Sequence, residues 1–166
     1  MIRFFFLLTL PLYLLDQATK WVVLWQMREP YVDKIVVIPN FFYLVHWRNT
    51  GAAFSFMRDS NWFFLGLSAV ALAVLIVMAW RGTFRSRLGG IGWALLLAGI
   101  LGNLTDRILH GSVVDFLLFD LHIPFANPWP AFNVADACIC VAAGLFIWQA
   151  WRDERDKKDG KELNDA

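Results

Sequence analysis

The chain has 166 residues, 58% of them hydrophobic and only 17% charged, with nine Trp and a formal net charge of +1. A water-soluble domain carries charge on about a quarter of its residues, so this composition excludes one, and the near-neutral balance gives no electrostatic reason for a nucleic-acid partner. The only cysteines, Cys138 and Cys140, cannot build a disulfide framework.

Four apolar stretches, 4–24, 62–80, 88–105 and 131–151, each approach the roughly 20 residues a helix needs to cross the hydrocarbon core. They predict an α-helical integral membrane protein with four transmembrane helices in a single membrane-embedded unit, 1–151. The first begins with Arg3 and Phe4 to Leu15, which also fits the charged and apolar regions of a signal peptide. No A-x-A site follows, and the apolar pattern resumes at Trp21 to Trp25, so a retained span is expected. Pro11 is expected to kink it. Within it, Asp16 and Lys20 are spaced i, i+4 and can pair, which makes both tolerable at membrane depth. The pair reads either as a structural clip or as a substrate contact.

The segment 28–60 connects spans one and two. Its residues 35–48 hold two β-branched and aromatic runs meeting at Pro39-Asn40, a turn dipeptide. A small β-sheet on the membrane surface is expected there, either inert or a platform for an extended peptide. Arg48-Asn49-Thr50-Gly51-Ala52-Ala53-Phe54-Ser55 then leads to span two, with Gly51 permitting backbone shapes closed to other residues.

Span two has no charged residue, and Arg81, Arg85 and Arg87 crowd the short link after it. In span three, Ala94, Ala98 and Gly102 repeat at the interval that lets helices approach closely. Asn103 and Arg107 share a face at its far end, with Asp106 offset from them. Asn103 can hydrogen-bond a peptide backbone and Arg107 can fork onto carbonyls or a carboxylate, or both can serve an interhelical network. If the helix continues, Asp115 lies about two turns past Arg107, near the interface.

The segment 108–130 ends in a proline-rich aromatic loop, Pro124, Pro128 and Pro130 with Phe125 and Trp129, readable as a mobile cover or as an anchor. Span four places Asp136 one to two turns inside the same interface, and Asn133 shares its face. Cys138 and Cys140 point to different faces of this span and are expected as unpaired core thiols. The tail 152–166 alternates acids and bases and reads as a frayed cytoplasmic end.

Lys and Arg set the orientation. Arg3, the three link arginines and Arg152, Arg155, Lys157, Lys158 and Lys161 fall on one side of a four-span chain, which places both termini in the cytoplasm and 28–60 and 108–130 outside. Other chemistries lack their motifs. His46, His110 and His122 are scattered with no H-E-x-x-H helix, and no G-x-S-x-G elbow occurs. Asp115 and Asp136 at similar depth remain as a pair able to share a proton, or as two acids paired separately, for example with Arg107. The residues leave open a small transporter or channel subunit with Asp16, Lys20, Asp115 and Asp136 as a proton or ion path, and a noncatalytic assembly protein.

Taken together, Asp16-Gln17-Ala18-Thr19-Lys20, Arg48 to Ser55, Gly102-Asn103-Leu104-Thr105-Asp106-Arg107, Val113-Val114-Asp115-Phe116 and Phe132-Asn133-Val134-Ala135-Asp136 closely resemble bacterial lipoprotein signal peptidase, or signal peptidase II. The resemblance implies an intramembrane aspartic endopeptidase of the bacterial cytoplasmic (inner) membrane, with an outward sheet called the cradle between helices one and two. Such enzymes remove signal peptides from prolipoproteins, cutting just before a diacylglyceryl-modified cysteine near the outer face of the membrane. The resemblance puts catalysis on Asp115 and Asp136 and substrate contacts on Asn49, Asn103, Arg107 and Asn133, and Asp16 and Lys20 match its first-helix motif; Asp16, Lys20 and Gly51 are expected to be structural or substrate-orienting. It implies no metal or other cofactor, inhibition by the cyclic peptide globomycin, membrane lipid around a monomer, and no nucleic acid.

Overall fold

A computed structural model describes residues 1–51, 60–124 and 128–162, with side chains described as far as Lys157. Four helices in it are long and apolar enough to cross a membrane: α1 (Ile2–Gln26), α2 (Asn61–Trp80), α3 (Arg87–His110) and α4 (Val134–Glu162). Three strands, β1 (Lys34–Ile38), β2 (Phe42–Asn49) and β3 (Val113–Phe119), form one antiparallel sheet in the order β1-β2-β3. The motif stretch 52–55 and loop residues 125–127 lie outside the described residues.

The expected kink in α1 takes the form of a π-helical turn over Phe5–Thr9. Pro11 has no N–H for the carbonyl of Leu7, and its ring crowds that oxygen, so a widened turn around Leu7 accommodates it. Thr9 is buried there and donates to the Ala94 carbonyl at 2.9 Å, tying α1 to α3.

The central helix is α3, with 56% of its span buried against 6% for α2. Its small residues allow this. A β-carbon at Gly99 would stand 2.5 Å from the Ala135 carbonyl oxygen, and one at Gly102 would stand 2.5 Å from an Asp16 carboxylate oxygen. Both are closer than real β-carbons come, so only glycine admits α1 and α4 at this distance. Toward the α2–α3 link, Leu75, Phe84, Trp93, Ala94 and Leu97 make an apolar cluster. Ser86 starts α3 by accepting from the Gly89 N–H at 2.9 Å.

The Pro39-Asn40 turn joins β1 to β2 as the sequence predicts, with Asn40 at φ +57. The sheet has a third strand that the sequence reading did not contain. Instead of continuing to Asp115, α3 stops at Gly111, which takes φ +70 and donates its N–H to the Arg107 carbonyl, a C-terminal cap that disfavours any side chain. The chain then enters β3 and pairs with β2, Trp47 opposite Asp115 and Asn49 opposite Val113. β3 is buried on both faces over Val113 to Phe116, so apart from Asp115 it reads as an apolar run without alternation.

Three further expectations are corrected. The fourth span begins as a helix at Val134, because Phe132 pairs with Leu117 as a short bridge on the free edge of β3. The charged stretch after Trp151 continues α4 as far as Glu162 instead of fraying. Its acids precede bases by four residues (Asp153 and Lys157, for example), the spacing that supports an exposed helix. Cys138 is buried and Cys140 exposed, and both are free thiols, so only the first is a core residue. In the aromatic loop, Trp129 donates its N–H to the Phe119 carbonyl and Phe132 stacks on Phe119, which ties this part of the loop to the sheet.

Candidate active site

The start of α4 supplies the first acid. Asn133 is the residue before the helix, and its side-chain oxygen accepts the Asp136 N–H at 2.9 Å. Asp136 returns the bond, accepting the Asn133 N–H at 3.3 Å. This reciprocal pair is a capping box, so Asn133 and Asp136 lie together because the helix starts between them.

The second acid comes from β3. Asp115 and Asn49 are diagonal neighbours on one face of the antiparallel pair, within reach across the strands. The Asn49 amide donates to one Asp115 oxygen at 2.9 Å, and the Asn133 amide donates to the other at 2.8 Å. Asn133 therefore touches both carboxyl groups. Asn103 completes the bridge, donating to Asp136 at 2.7 Å while its own oxygen accepts from Asn133 at 3.2 Å. No ion pair joins Asp115 or Asp136 to Arg107 among the described residues.

Asp115 is almost fully buried, and burial followed by the nearby charge of Asp136 pushes its carboxyl from 3.8 up to about 7. The Asn49 and Asn133 amides and the charge of Lys20 oppose that rise. A carboxyl poised near neutral can exchange a proton at physiological pH.

Arg107 extends over the Phe64 ring, 5.1 Å from its centroid, and donates to the Gly51 carbonyl at 3.3 Å. Gly51 also donates its N–H to the Asn49 side chain at 3.0 Å, so it acts here through its backbone. The buried Arg107 Nε has no hydrogen-bond partner among the described residues.

Asp16 and Lys20 pair at 2.8 Å, the i, i+4 contact their spacing predicts. Two residues that the sequence reading assigned to no site join them. Asp106 lies 2.9 Å from the Lys20 ammonium, and the Gln17 amide donates to Asp16 and Asp106 at 3.1 Å each. Asp106 was read as offset from the Asn103–Arg107 face, yet its i, i+3 spacing from Asn103 still places it on the buried side of α3. His46 is also buried, its Nδ1 2.7 Å from the Met27 carbonyl at the end of α1. Among the described residues, no group of three or more His, Cys, Asp or Glu side chains is placed to hold a metal ion.

Comparison with known proteins identifies the family. The family model described as signal peptidase (SPase) II matches residues 8–152. A lipoprotein signal peptidase of Neisseria meningitidis serogroup C is 42% identical over 161 residues, covering 95% of this chain and 93% of the relative. One from Listeria monocytogenes serotype 4a is 37% identical over 156 residues, covering 93% and 97%. A solved structure of a bacterial membrane enzyme superposes with a TM-score of 0.80 at 28% identity, covering 90% of this chain and 88% of that one. A second, also of a bacterial membrane enzyme, gives 0.75 at 28% identity, covering 87% and 90%. With four apolar helices, a matched model over most of its length and bacterial relatives, the chain is a multi-pass bacterial membrane protease that belongs to the signal peptidase II family.

Proposed function

We propose that this protein is an intramembrane aspartic endopeptidase that cleaves prolipoproteins just before the diacylglyceryl-modified cysteine, using Asp115 and Asp136. The observation that carries the reading is the Asn133 bridge, which donates to Asp115 while forming a capping box with Asp136. Two buried acids joined through one amide cannot both ionise cheaply, so one holds a proton.

In this reading, the ionised carboxyl takes a proton from water as the water oxygen bonds to the scissile carbonyl carbon. The protonated carboxyl gives its proton to the carbonyl oxygen, leaving a neutral tetrahedral diol. That adduct collapses as the C–N bond breaks, with a proton delivered to the leaving amine, and no covalent enzyme intermediate forms. Asn49, Asn103, Asn133 and Arg107 hold the peptide extended, because a helical carbonyl is already bonded and shielded. The acyl chains of the modified cysteine stay in lipid between helices and set the depth of the cut.

The distribution of Lys and Arg supports cytoplasmic termini, with the two acids near the outer face of the membrane. Globomycin is expected to compete for the site, and the protein is expected to act as a monomer, 1–151 forming its membrane unit. A proton or ion path fits poorly: toward the α2–α3 link the bundle closes on the apolar cluster around Trp93 and Leu97.

The test is cleavage of a diacylglyceryl-modified precursor, beside an unmodified one, by purified Asp115→Asn and Asp136→Asn proteins. Each substitution is expected to cost on the order of 10³-fold in rate while insertion persists. Normal processing by either variant sinks the acid-pair reading, and equal cleavage of both precursors sinks the lipid-depth reading.

A further inference from the structure

Behind the two acids lies a buried ion cluster that the reaction does not itself use. The Lys20 ammonium has three acceptors, Asp16 at 2.8 Å, Asp106 at 2.9 Å and the Asn103 side-chain oxygen at 3.1 Å, which match its three protons. All three ionised groups are nearly free of exposure, at 2% or less. Such a cluster is a poor source of stability, since apolar residues of similar volume do as well. What it does supply is direction.

Each of the two carboxylates also accepts one backbone N–H beside a reacting acid. Asp16 accepts from Ala135 at 2.8 Å, and Ala135 immediately precedes Asp136. Asp106 accepts from Val114 at 3.0 Å, and Val114 immediately precedes Asp115. The helix carrying one acid and the strand carrying the other are thus each held by one carboxylate of a pair that shares Lys20. The third proton of Lys20 orients Asn103, whose amide donates to Asp136.

We infer that Lys20 is a positioning residue that, through Asp16 and Asp106, sets the separation of Asp115 and Asp136. The inference deepens the aspartic reading and rests on it. The charged groups facing Lys20 are Asp16 from its own helix and Asp106 from α3 in direct contact, then Asp115 from β3 and Asp136 from α4, with Arg107 of α3 beyond them.

The experiment is Lys20→Met, assayed for kcat and KM separately across pH, with Asp115→Asn in parallel. The expected kcat loss is about 100-fold, the scale of a misplacement near 1 Å. KM should change less than about threefold, because Asn49, Asn133 and Arg107 still hold the peptide. The pH limb near neutral should move upward by about one unit, because a cation that favours the carboxylate form of Asp115 is gone. A purely structural role would lower the amount of folded protein and leave kcat per folded molecule unchanged.

If Lys20→Met fails to accumulate, Lys20→Met/Asp106→Asn removes one charge of each sign and is assayed instead, with the same kcat loss expected. A kcat within about twofold of wild type in the variant assayed, or an unmoved limb in Lys20→Met, overturns the inference. If Asp115→Asn still cleaves, the aspartic reading itself falls. An inactive Asp115→Asn beside a full-rate Lys20→Met removes only the positioning role.

Discussion

The two ends of the helical bundle solve the same packing problem with different chemistry. Toward the α2–α3 link, aromatic and aliphatic side chains gather around Trp93 and Leu97, with the Phe4 ring pressed onto Gly90. At the sheet end, Asp16, Lys20, Asn103, Asp106, Asp115 and Asn133 are buried and bonded to one another. Lipid is as apolar as a leucine core, so neither end gains from escaping water. The link end is held by close packing, which tolerates small slides. The sheet end is held by directed hydrogen bonds, which fix atoms to within a fraction of an ångström.

The largest test of this contrast is a methyl group added at each end. Gly102→Ala puts a β-carbon 2.5 Å from an Asp16 oxygen that cannot swing away, since that carboxylate also holds Lys20, Gln17 and the Ala135 N–H. A loss of about 100-fold in peptide cleavage is expected, together with a fall in melting temperature. Gly90→Ala would meet the Phe4 ring at 2.4 Å, the far end of a rotatable side chain. It should cost less than about threefold in activity, as substitutions away from a site usually do. Equal losses from the two would mean that the ends do not differ as described.

A smaller effect lies in the dependence of stability on pH. The Asp115 carboxyl is raised in the folded protein to about 7, so the fold binds this proton more tightly than the unfolded chain does. Its contribution is complete below the unfolded value and is lost as pH rises through about 7. Thermal unfolding in detergent should therefore show stability declining between about pH 4 and 7, and Asp115→Asn should flatten that decline and exceed wild type at the alkaline end. A wild-type profile identical to that of the variant would show that Asp115 carries no such strain.

The smallest effect belongs to the link end. Trp93 donates its indole N–H to the Leu75 carbonyl at 3.2 Å, binding α3 to α2. Trp93→Phe should lower stability by about 1 kcal/mol, as one buried hydrogen bond is removed, with cleavage unchanged. A marked loss of activity would reveal that the two ends communicate.

Much of this arrangement was legible before any coordinates. Twenty-residue apolar stretches report helices directly, and Pro39-Asn40 between β-branched runs reports a hairpin. The family motifs placed Asp115 and Asp136 together, and the structure brings both onto Asn133. β3 was hidden because Val113 to Phe119 is buried on both faces and, Asp115 apart, apolar, and a short run of that kind reads equally as buried helix. Gly111-Ser112 ahead of Val113 and Val114 was the missed signal, a helix stop before β-branched residues. Gln17 and Asp106 were given no role because the contacts that join Asp106 to Gln17 and to Lys20 across the bundle span more than eighty residues, and local spacing cannot report contacts between spans.

The glycine that ends α3 has one more consequence. Beyond Gly111 the chain is extended, where successive side chains point to opposite sides. The stretch from 111 to 115 therefore works as a ruler whose length decides the side from which Asp115 projects. One residue inserted there would turn that carboxylate away from Asn133 and present the neighbouring valine instead. The same insertion in the hairpin tip at Pro39-Asn40 would only lengthen a turn.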